Sequence, residues 1–123
     1  MATIALIEDD VAIVQMYRMK FESEGFDVIT AGDGRGGLQL LKDNDVDIVL
    51  LDLMMPHMNG DEMLTKLRQT DYGKNLPVIV LTNMGENEAP DSVQEDKLVK
   101  DFIVKASMTP KDVAETVNKV LAE

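Results

Sequence analysis

Five side chains that could handle metal ions or phosphate stand at the ends of four apolar runs. Glu8 and Asp9 follow the run TIALI, Asp52 comes near the end of DIVLLDL, Thr82 closes VIVLT, and Lys105 follows DFIV. Carboxylates gathered in one place repel one another unless a cation lies among them, and such oxygen ligands suit Mg²⁺. Asp52 can then act as a nucleophile toward phosphorus. Phosphoryl transfer needs mostly positioning and charge neutralisation, which Mg²⁺, Lys105 and Thr82 would supply.

These side chains can meet only if the runs are neighbouring strands. Three of the runs are almost continuous Val, Ile and Leu, which is typical of parallel strands covered on both faces. The four runs and a weaker one, DVITA, give five predicted strands: Thr3–Ile7, Asp27–Ala31, 47–53, Val78–Thr82 and 101–104.

Segments with helical spacing separate the predicted strands. Ile13, Tyr17 and Phe21 recur every four residues, and Gly25 follows where a glycine that ends a helix is expected. The other helices are marked by Leu38 and Leu41, by Met63, Leu64 and Leu67 after an N-cap at Asn59, and by Val113, Val117, Val120 and Leu121 after Thr109, Pro110 and Asp112. The segment 90–98 has few apolar residues and gives the weakest helical prediction.

The alternation of strands and helices predicts one α/β domain over residues 1–123, with a doubly wound, five-stranded parallel sheet. For this flavodoxin-like arrangement the common strand order is 2-1-3-4-5. Ligands then bind beyond the carboxyl ends of the strands, which is where the five side chains stand. The chain stops as the last helix ends, so we expect no output domain within it.

Composition excludes several classes of function. The chain has no cysteine, so disulfides, thiolate metal sites and cysteine catalysis are excluded. Its formal net charge of −11 disfavours direct binding to nucleic acid or to an anionic membrane. The N-terminus does not resemble a signal peptide, and no apolar stretch is long enough to span a membrane. We therefore expect a cytoplasmic protein.

Some polar residues near the strand ends are assigned ordinary roles. Asp10 is interpreted as the N-cap of the first helix, because acidic residues after strands often cap helices. His57 is interpreted as a solvated loop residue and not as a phosphate donor. Asp52 differs from both, because it places a charge inside an apolar run, where an unpaired carboxylate is costly.

Four blocks of the sequence resemble the signature blocks of bacterial response-regulator receiver domains, in family order and across essentially the whole chain. They are LIEDD (6–10), DLMMPHMNG (52–60), VIVLTN (78–83) and DFIVKA (101–106). The resemblance implies that Asp52 is phosphorylated and that Asp9 binds Mg²⁺ directly. It also implies that Glu8 contributes to the metal site through water, and that the Met54 backbone carbonyl is a further ligand.

The same resemblance implies a signalling role. Thr82 and Lys105 would contact the phosphoryl oxygens, and Thr82 and Phe102 would form a switch that alters a partner-binding face. A sensor histidine kinase or a phosphotransfer protein would be the donor, and a downstream protein or an output domain outside this chain the target. A homodimer on phosphorylation is compatible with this role. The chain would not be an enzyme beyond its own phosphorylation and slow dephosphorylation.

The sequence departs from the family pattern at several positions. Asn83 stands where a small residue usually follows the Thr, and Ala106 where a proline, often with a cis bond, usually follows the Lys. Leu98 and Val99 replace a usual Gly-Ala pair, which affects the expected length and angle of the fourth helix. Phe102 is the usual aromatic residue of the fifth strand, without a hydroxyl group.

Three residues are predicted to set the lifetime of the aspartyl phosphate. Met54 and Met84 should lie near the path of the attacking water, and thioethers orient water poorly. Asn83 should further crowd the entrance. We therefore expect slow self-dephosphorylation, over minutes to hours.

Particular residues argue against three alternative functions. An aspartyl-phosphate phosphatase would want an Asp at the position of Met54. A flavin carrier would want a loop rich in Gly, Ser and Thr after the first strand, where this chain has carboxylates. A receiver-like domain that is not phosphorylated would be expected to lack part of the acidic set, Thr82 or Lys105.

Overall fold

The computed structural model describes residues 2–55, 57–83 and 88–123 and confirms the predicted α/β architecture. Strands and helices alternate along the chain. Their bounds are β1 Thr3–Ile7, α1 Val11–Ser23, β2 Asp27–Ala31, α2 Gly34–Asp43, β3 Ile48–Asp52, α3 Gly60–Leu67, β4 Val78–Thr82, α4 Asp91–Gln94, β5 Val99–Val104 and α5 Pro110–Leu121. Within the described ranges, no helix is both long enough and apolar enough to cross a membrane.

The five strands form one parallel sheet in the order β2-β1-β3-β4-β5, as predicted. Its central strands β1, β3 and β4 contain the nearly continuous apolar runs, because their residues are covered on both faces. Parallel pairing places the carboxyl ends of β1, β3 and β4 at one edge of the sheet. The fold therefore brings the sequence-predicted site residues to the same place.

Two strands differ from their predicted bounds. The third predicted strand was too long at both ends, since β3 covers only Ile48–Asp52. The fifth was too short, since β5 begins at Val99 and contains a register irregularity opposite Val78 and Ile79. This strand lies at the edge of the sheet with Lys100 and Asp101 exposed, so its first half lacks the apolar pattern that predicts a strand.

Successive residues of each strand point to opposite faces, and the sheet therefore separates two apolar cores. Ile4 and Leu6 of β1 join the core beneath α1 and α5, whereas Ala5 and Ile7 join the core beneath α2, α3 and α4. The helical residues predicted to face the sheet are mostly buried: Tyr17, Phe21, Leu41, Met63, Leu64, Leu67, Val113, Val117 and Val120.

The helix ends follow the predicted signals with one exception. Gly25 has a φ of 93°, and the N–H groups of Gly25 and Phe26 donate to the carbonyl groups of Glu22 and Phe21, which ends α1. Thr109 and Asp112 form a reciprocal capping box at the start of α5. The exception is partial: Asn59 occupies the N-cap position of α3, as predicted, but its side chain makes no capping hydrogen bond.

The fourth helix is a single turn, Asp91–Gln94, much shorter than the segment 90–98 considered in the sequence. Val93 is the buried residue of this turn, so little apolar surface is available to stabilise a longer helix. The chain after the turn is fixed instead by an ion pair between Arg68 and Asp96. The Arg68 guanidinium donates to both carboxylate oxygens of Asp96 at 2.8 and 3.3 Å, and to the carbonyl groups of Gly73 and Leu76.

Candidate functional site

Three carboxylates converge at the carboxyl edge of the sheet. One oxygen atom from each of Glu8, Asp9 and Asp52 lies within 4.8 Å of the other two. The convergence follows from pairing, because β1 and β3 are adjacent parallel strands that end at the same level. Glu8 and Asp52 are only 2% and 1% exposed, whereas Asp9 is exposed. The cluster is therefore open to solvent on the Asp9 side and closed beneath.

Lys105 supplies the positive charge of this cluster. Its Nζ lies 2.5 Å from Glu8 Oε1 and 3.2 Å from Asp52 Oδ2, and its side chain is 12% exposed. The backbone N–H of Lys105 donates to the Thr82 carbonyl at 2.8 Å, which fixes the start of the loop after β5. The Lys105 ammonium thus pairs with two of the three clustered carboxylates, and the cluster keeps an excess of negative charge.

The charges in the site alter the pKa values of its members. Burial, followed by a hydrogen bond with Asp52, raises the pKa of Glu8 from 4.5 to about 7. Burial by itself lowers the pKa of Lys105, but the Glu8 hydrogen bond and the Asp52 charge outweigh it, and the pKa is raised overall. Both effects reflect an excess of negative charge in a partly dry site.

The carboxylates have different hydrogen-bond partners, which assign them different tasks. Glu8 Oε2 accepts from the N–H groups of Asp9 and Asp10 at 2.9 and 3.3 Å, so Glu8 is held by the turn that follows β1. Asp10 Oδ1 accepts from Ala12 and Ile13 and caps α1, as predicted. Asp9 has neither task, and its carboxylate stands at the solvent side of the cluster.

The loop after β3 orients the Asp52 carboxylate. The Met54 N–H donates to Asp52 Oδ1 at 3.1 Å, and the Gly60 N–H donates to the Leu53 carbonyl at 3.1 Å. A Cβ atom on Gly60 would lie 2.8 Å from Leu53 Cα and 3.0 Å from the Asp52 carbonyl carbon. Only glycine allows this close approach, so Gly60 lets the start of α3 pack directly on the end of β3.

The donor set fits a hard divalent cation. Carboxylate oxygens are the ligands that Mg²⁺ prefers, and one or two of them commonly suffice because Mg²⁺ keeps several waters. Burial and the neighbouring Asp52 raise the pKa of Glu8, and a bound cation would favour its charged form. A cleft of about 300 Å³ also opens beside Glu8 and Asp9 toward α1 and the end of β2, so the cluster is approached from the side of Asp9.

The remaining predicted residues occupy several environments. Thr82 is fully buried at the end of β4, and Phe102 is half-buried against the core beneath α2, α3 and α4. Asn83 is exposed, and Met54 is 62% exposed. Met84, predicted to flank the water path, lies outside the described residues. The bond before Ala106 is trans, since no cis peptide occurs in the described part of the chain.

Sequence reasoning assigned Tyr17 only to the core and missed its position relative to the site. Tyr17 is buried on α1 and stacks on Phe21, with ring centroids 6.1 Å apart. Burial raises the pKa of its hydroxyl group, which also senses the charges of Lys105 and Glu8. The only signal in the sequence was a hydroxyl group in an otherwise apolar stripe.

The chain belongs to the response regulator receiver domain family, whose sequence profile matches residues 4–118. The transcriptional regulatory protein CpxR of Escherichia coli K12 is 45% identical over 85 residues, which cover 69% of this chain and 35% of CpxR. The transcriptional regulatory protein SrrA of Staphylococcus aureus NCTC 8325 is 35% identical over 103 residues, covering 80% of this chain and 42% of SrrA. The chain thus spans about 35–42% of the length of these regulators.

Solved structures agree with this family over nearly the entire chain. The chemotaxis protein CheY4 of Vibrio cholerae superposes with a TM-score of 0.85 at 29% identity, covering 98% of both chains. The response regulator TrrA of Thermotoga maritima, in complex with Mg²⁺–BeF, gives a TM-score of 0.84 at 25% identity, covering 98% of this chain and 99% of TrrA. The CheY-like fold and the assignment as a response regulator receiver domain are therefore shown.

Proposed function

We propose that this receiver domain accepts a phosphoryl group on Asp52 from a histidine kinase or a phosphotransfer protein, with Mg²⁺ bound by the carboxylate cluster. The observation that carries the proposal is the meeting of Glu8, Asp9 and Asp52, with the Lys105 ammonium paired to Glu8 and Asp52. The complex of TrrA with Mg²⁺–BeF supports the choice of metal.

In the proposed reaction, an Asp52 carboxylate oxygen attacks phosphorus, and the bond from phosphorus to the donor nitrogen breaks. The nitrogen keeps the bonding electron pair and the donor leaves as imidazole. Asp52 is suited to the attack because the Met54 N–H and the Lys105 ammonium hold its carboxylate in one orientation. Fixed geometry of this kind accounts for much of the catalysis in phosphoryl transfer.

Mg²⁺ and the other side chains of the site would assist the transfer by binding the phosphoryl oxygens or the metal ion. Mg²⁺ would neutralise charge on the phosphoryl oxygens, with Asp9, Asp52 and the Met54 carbonyl as ligands and Glu8 acting through water. Lys105 would move its ammonium onto a phosphoryl oxygen as it leaves the Asp52 carboxylate. The Thr82 hydroxyl would bind another phosphoryl oxygen. We propose no turnover beyond the chain's own phosphorylation and slow dephosphorylation.

The output step is proposed to act through residues 83–105. Movement of Thr82 toward the phosphoryl group would leave room for Phe102, which is already half-buried, to turn further inward. This would change the face formed by α4, β5 and α5, to which a downstream protein or an output domain would bind. Unchanged amide exchange in residues 83–105 on phosphorylation would contradict this step.

The decisive experiment uses acetyl phosphate as donor and intact mass as readout. We expect the wild-type protein to gain the mass of one phosphoryl group with Mg²⁺ and not with EDTA. Asp52→Asn should gain none, whereas the control Asp45→Asn, at an exposed position in the loop between α2 and β3, should behave as wild type. Full labelling of Asp52→Asn would overturn the assignment.

A further inference from the structure

Met54 combines solvent exposure with closeness to the acceptor carboxylate. Its side chain is 62% exposed, although the next residue, Met55, is only 6% exposed. Its backbone nitrogen lies 3.1 Å from Asp52 Oδ1, so the Cα atom that carries the side chain is only one bond further from that carboxylate oxygen. Met58 and Met63 in the same region are buried. Among the described methionines of this loop and α3, Met54 is therefore the one that a dissolved oxidant can reach.

We infer that Met54 is a redox-sensitive modification site that controls how long Asp52 keeps its phosphoryl group. The modification is oxidation of the Met54 thioether to a sulfoxide. A sulfur lone pair attacks one oxygen of hydrogen peroxide, and the O–O bond breaks. An S–O bond forms and the second peroxide oxygen leaves as water after proton transfer, so sulfur loses two electrons and the peroxide gains them. The inference rests on the proposed phosphorylation of Asp52.

The expected effect follows from the change in polarity. A thioether is a weak hydrogen-bond acceptor and orients water poorly, whereas a sulfoxide is strongly polar. Loss of the phosphoryl group requires a water molecule that attacks phosphorus in line with the Asp52 oxygen. An acceptor oxygen on residue 54 can hold that water, and one such hydrogen bond corresponds to a lifetime about three- to tenfold shorter.

The chain offers a matched control on α1. Met19 is 72% exposed, so it should be oxidised at least as readily as Met54. It lies nine residues after Asp10, the cap of α1, which places it about 13 Å along the helix from the site. Oxidation of Met19 should therefore leave the phosphoryl lifetime unchanged.

The experiment treats wild type, Met54→Leu and Met19→Leu with hydrogen peroxide and maps oxidation by peptide mass spectrometry without metal or phosphate. Each protein is then phosphorylated with acetyl phosphate and Mg²⁺, freed of donor, and followed by intact mass. We expect peroxide to shorten the lifetime about three- to tenfold in wild type and Met19→Leu, and not in Met54→Leu. Met54→Gln, which carries a polar side chain of similar length, should shorten it without peroxide.

The outcomes separate this inference from the proposed function. Equal shortening by peroxide in Met54→Leu and wild type would overturn the inference, as would absence of Met54 oxidation in the folded protein. In both cases the phosphorylation itself would stand. Failure of every protein to take up a phosphoryl group would instead overturn the proposed function and, with it, the inference. Reversal by a methionine sulfoxide reductase would support sulfoxide as the cause.

Discussion

Glu8 should make the metal-free protein lose stability as the pH rises, and Glu8→Gln should remove that loss. Burial and the neighbouring Asp52 carboxyl raise the pKa of Glu8 from 4.5 to about 7 in the folded protein. The folded state therefore binds this proton more tightly than the unfolded chain does. The resulting stabilisation is complete below about pH 4.5 and is lost as the pH rises through about 7.

The size of the effect follows from the pKa values. A shift from 4.5 to about 7 corresponds to at most about 3 kcal/mol of unfolding free energy between acid and neutral pH. For a domain of this size that is roughly 10 °C in Tm. Gln is neutral at every pH and has nearly the shape of protonated Glu, and Asp52 still accompanies Lys105 in the variant. The part of the pH dependence of the unfolding free energy that Glu8 causes should therefore disappear in this variant.

The assay is urea unfolding of wild type and Glu8→Gln in EDTA from pH 5 to 8, with Glu115→Gln as a control at an exposed position of α5. The unfolding free energy of the wild type should fall relative to that of Glu8→Gln as the pH rises, whereas that of Glu115→Gln should follow the wild type. Excess Mg²⁺ at pH 8 should restore stability to the wild type, because a ligand of the folded state stabilises it. Parallel curves for wild type and Glu8→Gln would refute the electrostatic account of this site.

Other consequences can be measured separately. Asp9→Ala should abolish the rise in Tm caused by Mg²⁺. Asp10→Ala should lower the unfolding free energy by about 1 kcal/mol through loss of a helix cap, and should keep the Mg²⁺ response; the opposite pattern in thermal scans would exchange the two assignments. Gly60→Ala should cost about 1–3 kcal/mol in urea unfolding and slow phosphorylation by acetyl phosphate, since its Cβ would press on the end of β3; a wild-type rate would contradict the close approach. Arg68→Met should lower the unfolding free energy by about 3 kcal/mol, because the largely buried Asp96 carboxylate loses its cation. Adding Asp96→Leu should recover part of this; a double variant no more stable than the single would show that the pair is not the cause.

The sequence alone predicted the architecture because short stretches of sequence indicate strands and helices through their apolar patterns. Nearly continuous Val, Ile and Leu in β1, β3 and β4 indicated burial on both faces, and the spacing of apolar residues indicated helices. The boundaries failed where local signals were weak. The edge position of β5 allows Lys100 and Asp101 to face solvent, so half of that strand has no apolar pattern, and α4 has too little apolar surface to be longer than one turn.

The sequence also identified which residues would meet, because parallel strands end at one edge of a sheet. What it did not contain was the distances among them. Lys105 is far from Glu8 along the chain, yet its Nζ lies nearer to Glu8 than to Asp52, and this contact exists only after β5 has joined β4. The pKa of Glu8 depends on burial and on that pairing, and neither can be computed from sequence neighbours.

Residue types and their order therefore determined the fold class and the identity of the carboxylate cluster, whereas the strand order was predicted as the common one for that class. Tertiary structure decided how the carboxylates divide their tasks. Asp10 turns to the first N–H groups of α1, Glu8 is held beneath the cluster by Lys105, and Asp9 remains at the solvent side. The physical reason is that charge, burial and hydrogen bonding act between groups close in space. Secondary structure and apolar periodicity act instead between groups close in sequence.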